Sequence, residues 1–173
     1  MGTPVVILEN EVSSAGVDNQ LLRQEQFTVE NVFAGCVCCT NSGDMCDAIQ
    51  RIRERYEPRW LLLEATGMAY PDSIRTVIRQ ELDLDVSILA LADAKRWDRL
   101  RRAMPEFIES QLVDAEAVLM NKVDLVSPDI ADSISAQIRE LNPRALLCPV
   151  CATEIQPPLF WERIVNTLTE GKA

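Results

Sequence analysis

Cys36, Cys38 and Cys39 place three thiols within four residues of the run Gly35-Cys36-Val37-Cys38-Cys39-Thr40. Thiolates packed this closely can converge on one soft cation, with Zn²⁺ the default and Cu(I) or another transition metal also suited to sulfur. The bland alternative is a set of small buried hydrophobes, which free cysteine often imitates. The chain has no histidine. A further ligand must therefore come from a thiolate, a carboxylate, the backbone or water, and Glu11, Glu9 and Cys46 are the candidates. A second pair, Cys148-Pro149-Val150-Cys151, has C-x-x-C spacing. It reads as a redox pair, as half of a metal site, or as two small strand residues.

Asn121-Lys122-Val123-Asp124 has the N-K-x-D form of guanine-reading turns. A carboxylate at the last position can accept two hydrogen bonds from the guanine edge, a charge-assisted contact that adenine does not offer. The lysine can lay its aliphatic stem along the base. Taken alone, the tetrapeptide also fits a helix-capping turn. Glu64-Ala65-Thr66-Gly67 sets an acid at a strand end before Thr-Gly. Such an acid can hold Mg²⁺ through water and sense a terminal phosphate; an ordinary strand-to-helix turn looks the same. Asp93 carries the same ambiguity and fits a helix cap best.

These residues need a scaffold, and the hydrophobic pattern supplies one. Apolar runs at Pro4–Leu8, Gln26–Phe33, Trp60–Leu63, Val86–Leu91, Ala117–Met120 and Ala145–Val150 read as strands. Their near-continuous apolar character suits strands covered on both faces, as in a parallel sheet. Helical periodicity fills the gaps at 44–55, 72–82, 95–113, 129–141 and 159–168. Pro105 should kink or divide the third of these. Ser127-Pro128 should open the fourth as cap and first residue, and Asn142-Pro143 should close it. The alternation predicts an α/β fold, a doubly wound and mostly parallel sheet, over residues 1–173 as one domain. In such a sheet ligands gather at the carboxyl ends of the strands, where the base-reading turn and the thiol-rich turn should share one edge.

The formal net charge of −10 makes nucleic acid and anionic lipid poor partners. No apolar run approaches the ~20 residues of a membrane span. The first ten residues contain no basic residue, unlike a secretory leader, so the expected location is the cytoplasm. Six cysteines there are read as metal-binding or redox-active rather than as a disulfide framework.

Taken in order, Glu9-Asn10-Glu11, Gly16-Val17-Asp18, the C-x-C-C run, Glu64-Ala-Thr-Gly, Tyr70-Pro71-Asp72, Ala92-Asp93-Ala94 and Asn-Lys-Val-Asp resemble the CobW-type family across nearly the whole chain. That family is a branch of the P-loop GTPases related to the nickel chaperones of hydrogenase and urease maturation. The resemblance implies coupling of GTP or GDP to delivery of zinc or another transition metal, or a metal cofactor, to a receiving apoprotein. It implies Cys36, Cys38 and Cys39 as metal thiolates assisted by Glu11, with Glu64 as the Walker-B acid. It implies Asn121, Lys122 and Asp124 as base-recognition residues, with Cys151-Ala152 in the guanine-contacting loop and Mg²⁺ entering only with nucleotide. The Glu-Asn-Glu strand end and the Tyr-Pro-Asp turn also look like the branch linked to corrinoid-dependent methyl transfer. A homo-oligomer is compatible with all of this.

Three departures from the family matter. The glycines stand at positions 2, 16, 35, 43, 67 and 171, so no G-x-x-x-x-G-K-S/T phosphate loop can be formed from these residues. Nucleotide affinity is therefore expected to be weak or absent, and GTP hydrolysis lacking, in the sequence as it stands. Ser13-Ser14 replaces the usual Gly-Glu, and the usual second, C-terminal domain is not present. The phosphate-loop strand of such a fold lies between the strands placed at Trp60–Leu63 and Val86–Leu91. Either those two strands pair directly, or another chain fills the gap, or the sequence belongs to a longer protein.

Overall fold

The computed structural model describes residues 5–9, 28–31 and 42–170. They fall in two compact units, Met1–Leu84 and Asp85–Ala173. Every strand ladder is parallel.

In the first unit, β1 (Val5–Glu9) lies between β2 (Thr28–Asn31) and β3 (Trp60–Glu64). Alternate residues Val6 and Leu8 of β1 are buried, as a strand period of two requires. Helix α1 (Ser42–Tyr56) lies against β1 and buries Met45, Ala48, Ile49 and Ile52, the face that the helical spacing predicts. Helix α2 (Pro71–Leu82) packs beside α1 and buries Ile74 and Ile78, one turn apart. Pro71 stands in its first turn, where the missing N–H is harmless. It ends at Asp83, in the left-handed region with φ 50°.

In the second unit, β5 (Ala117–Asn121) is central, flanked by β4 (Leu89–Asp93) and β6 (Leu146–Val150). Both faces of β5 are covered, which is why Ala117–Met120 is an unbroken apolar run. One face packs Ala90, Ala92, Val118 and Met120 against Trp97, Leu112, Ile134 and Ile138. These last come from α3 (Trp97–Ala103), α4 (Pro105–Leu112) and α5 (Pro128–Leu141) and their junctions. The other face packs Leu119, Cys148 and Val150 against Ile164 of α6 (Pro158–Thr169). Pro105 splits α3 from α4 as expected, and Ser127 caps α5 by accepting from the Ile130 N–H at 3.4 Å.

One expectation shifts. The strand predicted at Val86–Leu91 forms at Leu89–Asp93 instead. Ile88 is buried, but its N–H donates to the Glu116 carboxylate at 2.7 Å, and its carbonyl accepts from the Glu116 N–H at 3.1 Å. Side-chain and loop contacts thus satisfy groups that a longer ladder would use. The ladders form two parallel three-stranded sheets, one in each unit. Of the strand predicted at Gln26–Phe33, only Thr28–Asn31 lies within the described residues. Among the described residues no helix is long and apolar enough to cross a membrane.

Candidate functional site

The base-reading turn begins where β5 stops. Asn121 is the last strand residue, in register with Asp93 on one side and Val150 on the other. Its Oδ1 accepts from two backbone N–H groups, Lys122 at 2.8 Å and Ala152 at 2.9 Å. The second bond ties the loop after β6 to the end of β5. That loop is braced internally: the Glu154 N–H donates to the Cys151 carbonyl at 3.0 Å, and Gln156 Nε2 donates to the same carbonyl at 3.1 Å. Asn121, Lys122, Cys151 and Ala152, named separately from the sequence, are therefore brought together.

Lys122 turns the chain with φ 66° and ψ 33°, and a short 3₁₀ turn, Val123–Leu125, follows. Its ammonium Nζ donates to Asp93 Oδ2 at 2.7 Å. The other oxygen of Asp93 accepts from the Arg96 N–H at 3.1 Å, capping the 3₁₀ turn Ala94–Arg96. Burial by itself would raise the Asp93 carboxyl. The hydrogen bond from Lys122, the Arg96 N–H and the two cationic side chains outweigh it and hold the group below the ordinary aspartate range. Asp124 is different: it is exposed, and among the described residues its carboxylate makes no hydrogen bond or ion pair. A free carboxylate on a braced turn at a strand's carboxyl end is what recognition of a donor-rich purine edge needs. The cap at Asp93 was legible from sequence; its grip on Lys122 was missed. No sequence signal marked it, because the register that sets Asp93 beside Asn121 is a property of the folded sheet.

In the first unit, Glu9 and Glu64 occupy the same register at the carboxyl ends of β1 and β3. Parallel neighbours in register project to the same face, so these two acids share one side of the sheet. Glu9 is buried and Glu64 exposed. Two residues on, the Thr66 hydroxyl is buried with no hydrogen-bond partner among the described residues. Its backbone carbonyl closes the turn by accepting from the Ala69 N–H at 2.9 Å. Glu64 thus stands at a strand end beside a second acid, Glu9.

Cys36, Cys38, Cys39 and Glu11 lie outside the described residues. Among the described residues no three His, Cys, Asp or Glu side chains gather as a metal cluster would. Cys46 is buried in α1, and burial, then the charges of Glu81 and Asp47, push its thiol upward. Cys148 is buried in β6 between Leu119 and Ile164, and burial raises it too, against the pull of Arg163. Cys151 lies beyond the strand end with its Sγ 2.9 Å from Thr153 Oγ1. Both are free thiols; the apolar setting of Cys148 suits the packing reading, while Cys151 is partly exposed.

The chain is 28% identical to the zinc chaperone YjiA of Escherichia coli (strain K12), over 92% of this chain and 52% of that protein. It is 21% identical to the zinc-regulated GTPase metalloprotein activator 1 of Dictyostelium discoideum, over 96% of this chain and 43% of that protein. The chain thus spans about half the length of the curated relatives it matches. Among solved structures, the hydrogenase maturation factor HypB from Archaeoglobus fulgidus superposes with a TM-score of 0.67 at 14% identity, covering 95% of this chain and 75% of that one. Zn(II)-bound YjiA GTPase from E. coli gives 0.59 at 19% identity, covering 90% and 60%. The chain therefore shares the fold of these proteins. Residues 1–149 match the model of the CobW/HypB/UreG nucleotide-binding domain, and the chain belongs to that family.

Proposed function

We propose that this chain reads guanine nucleotide through Asn121, Lys122 and Asp124 and carries a transition metal, with zinc the first choice, on Cys36, Cys38 and Cys39 with Glu11. The metal is cargo for a client metalloprotein, and the nucleotide governs its release. The observation that carries the reading is the uncommitted Asp124 carboxylate on a turn braced by Asn121, in a chain of the CobW/HypB/UreG family. The names of the relatives, zinc chaperones and a GTPase metalloprotein activator, support zinc as cargo. Glu64 is assigned to Mg²⁺ that arrives with nucleotide. These residues supply no amide cradle or lysine for the phosphates, so GDP binding by them alone is expected to be weak and GTP turnover absent.

Two measurements test this. Titration of the chain with GDP should show weak saturable binding that is abolished in Asp124→Asn. The same variant should gain xanthosine diphosphate, because an amide N–H can donate to the xanthine carbonyl that replaces the guanine amino group. GDP binding untouched by Asp124→Asn would end the base assignment. Elemental analysis should find about one Zn²⁺ per chain, lost in the Cys36→Ser, Cys38→Ser, Cys39→Ser triple variant; unchanged metal content would end the thiolate assignment.

A further inference from the structure

Lys122 and Asp124 are opposite charges two residues apart on one turn. The lysine ammonium rides on a flexible four-carbon stem and is a ready partner for any nearby carboxylate. An ion pair between them would occupy the oxygens that a purine edge has to reach. The structure resolves the competition in favour of Asp93. Lys122 Nζ sits 2.7 Å from Asp93 Oδ2, while Asp124 is exposed and has no ion pair among the described residues. The Asp93 carboxylate is itself fixed, because its other oxygen accepts from the Arg96 N–H and the Arg96 side chain approaches the same Oδ2 at 3.8 Å. The Asp93 side chain is only 20% exposed, against 41% for Lys122, so the pair is better shielded from water than an ordinary surface bridge.

We propose that Asp93 is the positioning residue of the base-reading turn: it holds the Lys122 ammonium away from Asp124, which leaves the Asp124 carboxylate free for the ligand and the Lys122 stem free to lie along the base. The proposal rests on the reading of this turn as a guanine site. Its own content, the allocation of Lys122 between two carboxylates, is measurable without any nucleotide.

The test follows the Asp124 carboxyl ¹³C resonance through an acid titration of the full chain and measures GDP affinity by calorimetry. Asp93→Asn keeps the size and the capping oxygen but removes the charge. Lys122 should then turn to Asp124, lowering the Asp124 titration midpoint and weakening GDP on the order of tenfold, the effect of blocking a charged acceptor. Adding Lys122→Met to Asp93→Asn should return the midpoint to its original value. Lys122→Met alone, which leaves Asp93 in place, should not move the Asp124 midpoint. An Asp124 midpoint that is unchanged in Asp93→Asn, or raised in Lys122→Met, overturns the proposal. A wild-type chain that binds no GDP but shows the predicted Asp124 shifts overturns the guanine reading and leaves the positioning role standing. GDP binding that Asp124→Asn abolishes but Asp93→Asn spares, with no Asp124 shift, does the reverse.

Discussion

Lys122 holds a left-handed backbone conformation, φ 66° and ψ 33°, which a residue with a Cβ enters at a cost of about 1 to 2 kcal/mol. Asn121 and Asp93 offset that strain from both ends, one through the Lys122 N–H and the other through its ammonium. Asn121→Ala removes one acceptor from two N–H groups, and Ala152 is exposed enough to turn to water. The expected loss is about 1 kcal/mol by denaturant titration, with the sharper signature in hydrogen exchange: the Ala152 amide should lose its protection while β5 keeps its own. Asp93 makes the acid limb of stability sensitive to one residue. Its folded carboxyl lies below the ordinary value, so it binds fewer protons than in the unfolded chain. The stability it contributes is present above about pH 3.9, the unfolded value. It is lost as pH falls through the lower folded value. Asp93→Asn should therefore unfold with a shallower pH dependence below about pH 4 than wild type, while differing less from it at that extreme than at neutrality.

At the level of elements, the join between α4 and α5 is held by one buried amide. Asn142 Nδ2 donates to the Leu112 and Ala115 carbonyls at 2.7 and 2.9 Å, and its Oδ1 accepts from the Arg144 and Ala145 N–H groups at 3.2 and 3.1 Å. An aspartate there would direct oxygen at two carbonyl oxygens. Asn142→Asp should lose about 3 kcal/mol or more in thermal or denaturant unfolding, with Asn142→Ala somewhat milder. Sequence periodicity had marked Asn142 as the end of α5 and nothing more, because its partners lie about 30 residues back and belong to tertiary structure. The helices themselves were readable: Pro105, Ser127 and Pro128 act through local backbone chemistry that needs no distant partner. The strand at 86–91 was misplaced because an apolar run does not say which of its residues bond to a ladder and which to Glu116. The same limit applies to the site. Asn121, Lys122, Cys151 and Ala152 could be named from motif spacing, whereas the Asp93–Lys122 contact crosses 29 residues and depends on the strand register.

For the molecule as a whole, strand pairing was the least legible property. Hydrophobic runs predict strands but not their neighbours, and the order β2-β1-β3 in one unit and β4-β5-β6 in the other was not readable from them. The second unit, Asp85–Ala173, has a complete packing plan of its own: a buried central strand, helices on both faces, and two apolar clusters drawn from its own residues. Expressed alone, it should melt cooperatively with an enthalpy on the order of 60 kcal/mol, the value for a folded chain of this size. Its weak point is β4. That edge strand, Leu-Ala-Leu-Ala-Asp, has no proline, lysine or bulge to blunt it before its final residue, and Leu91 is 72% exposed. By contrast, the opposite edge, β6, carries Pro149, which cannot donate to a further ladder. Exposed apolar edges of the first kind invite pairing between copies. The isolated unit should therefore self-associate with rising concentration in sedimentation experiments. Leu91→Lys should suppress that association while leaving the melting temperature within a few degrees of the parent, since Leu91 contributes little burial to either cluster. A broad, non-cooperative melt of both proteins would mean that the two clusters are too small to hold this unit without the rest of the chain.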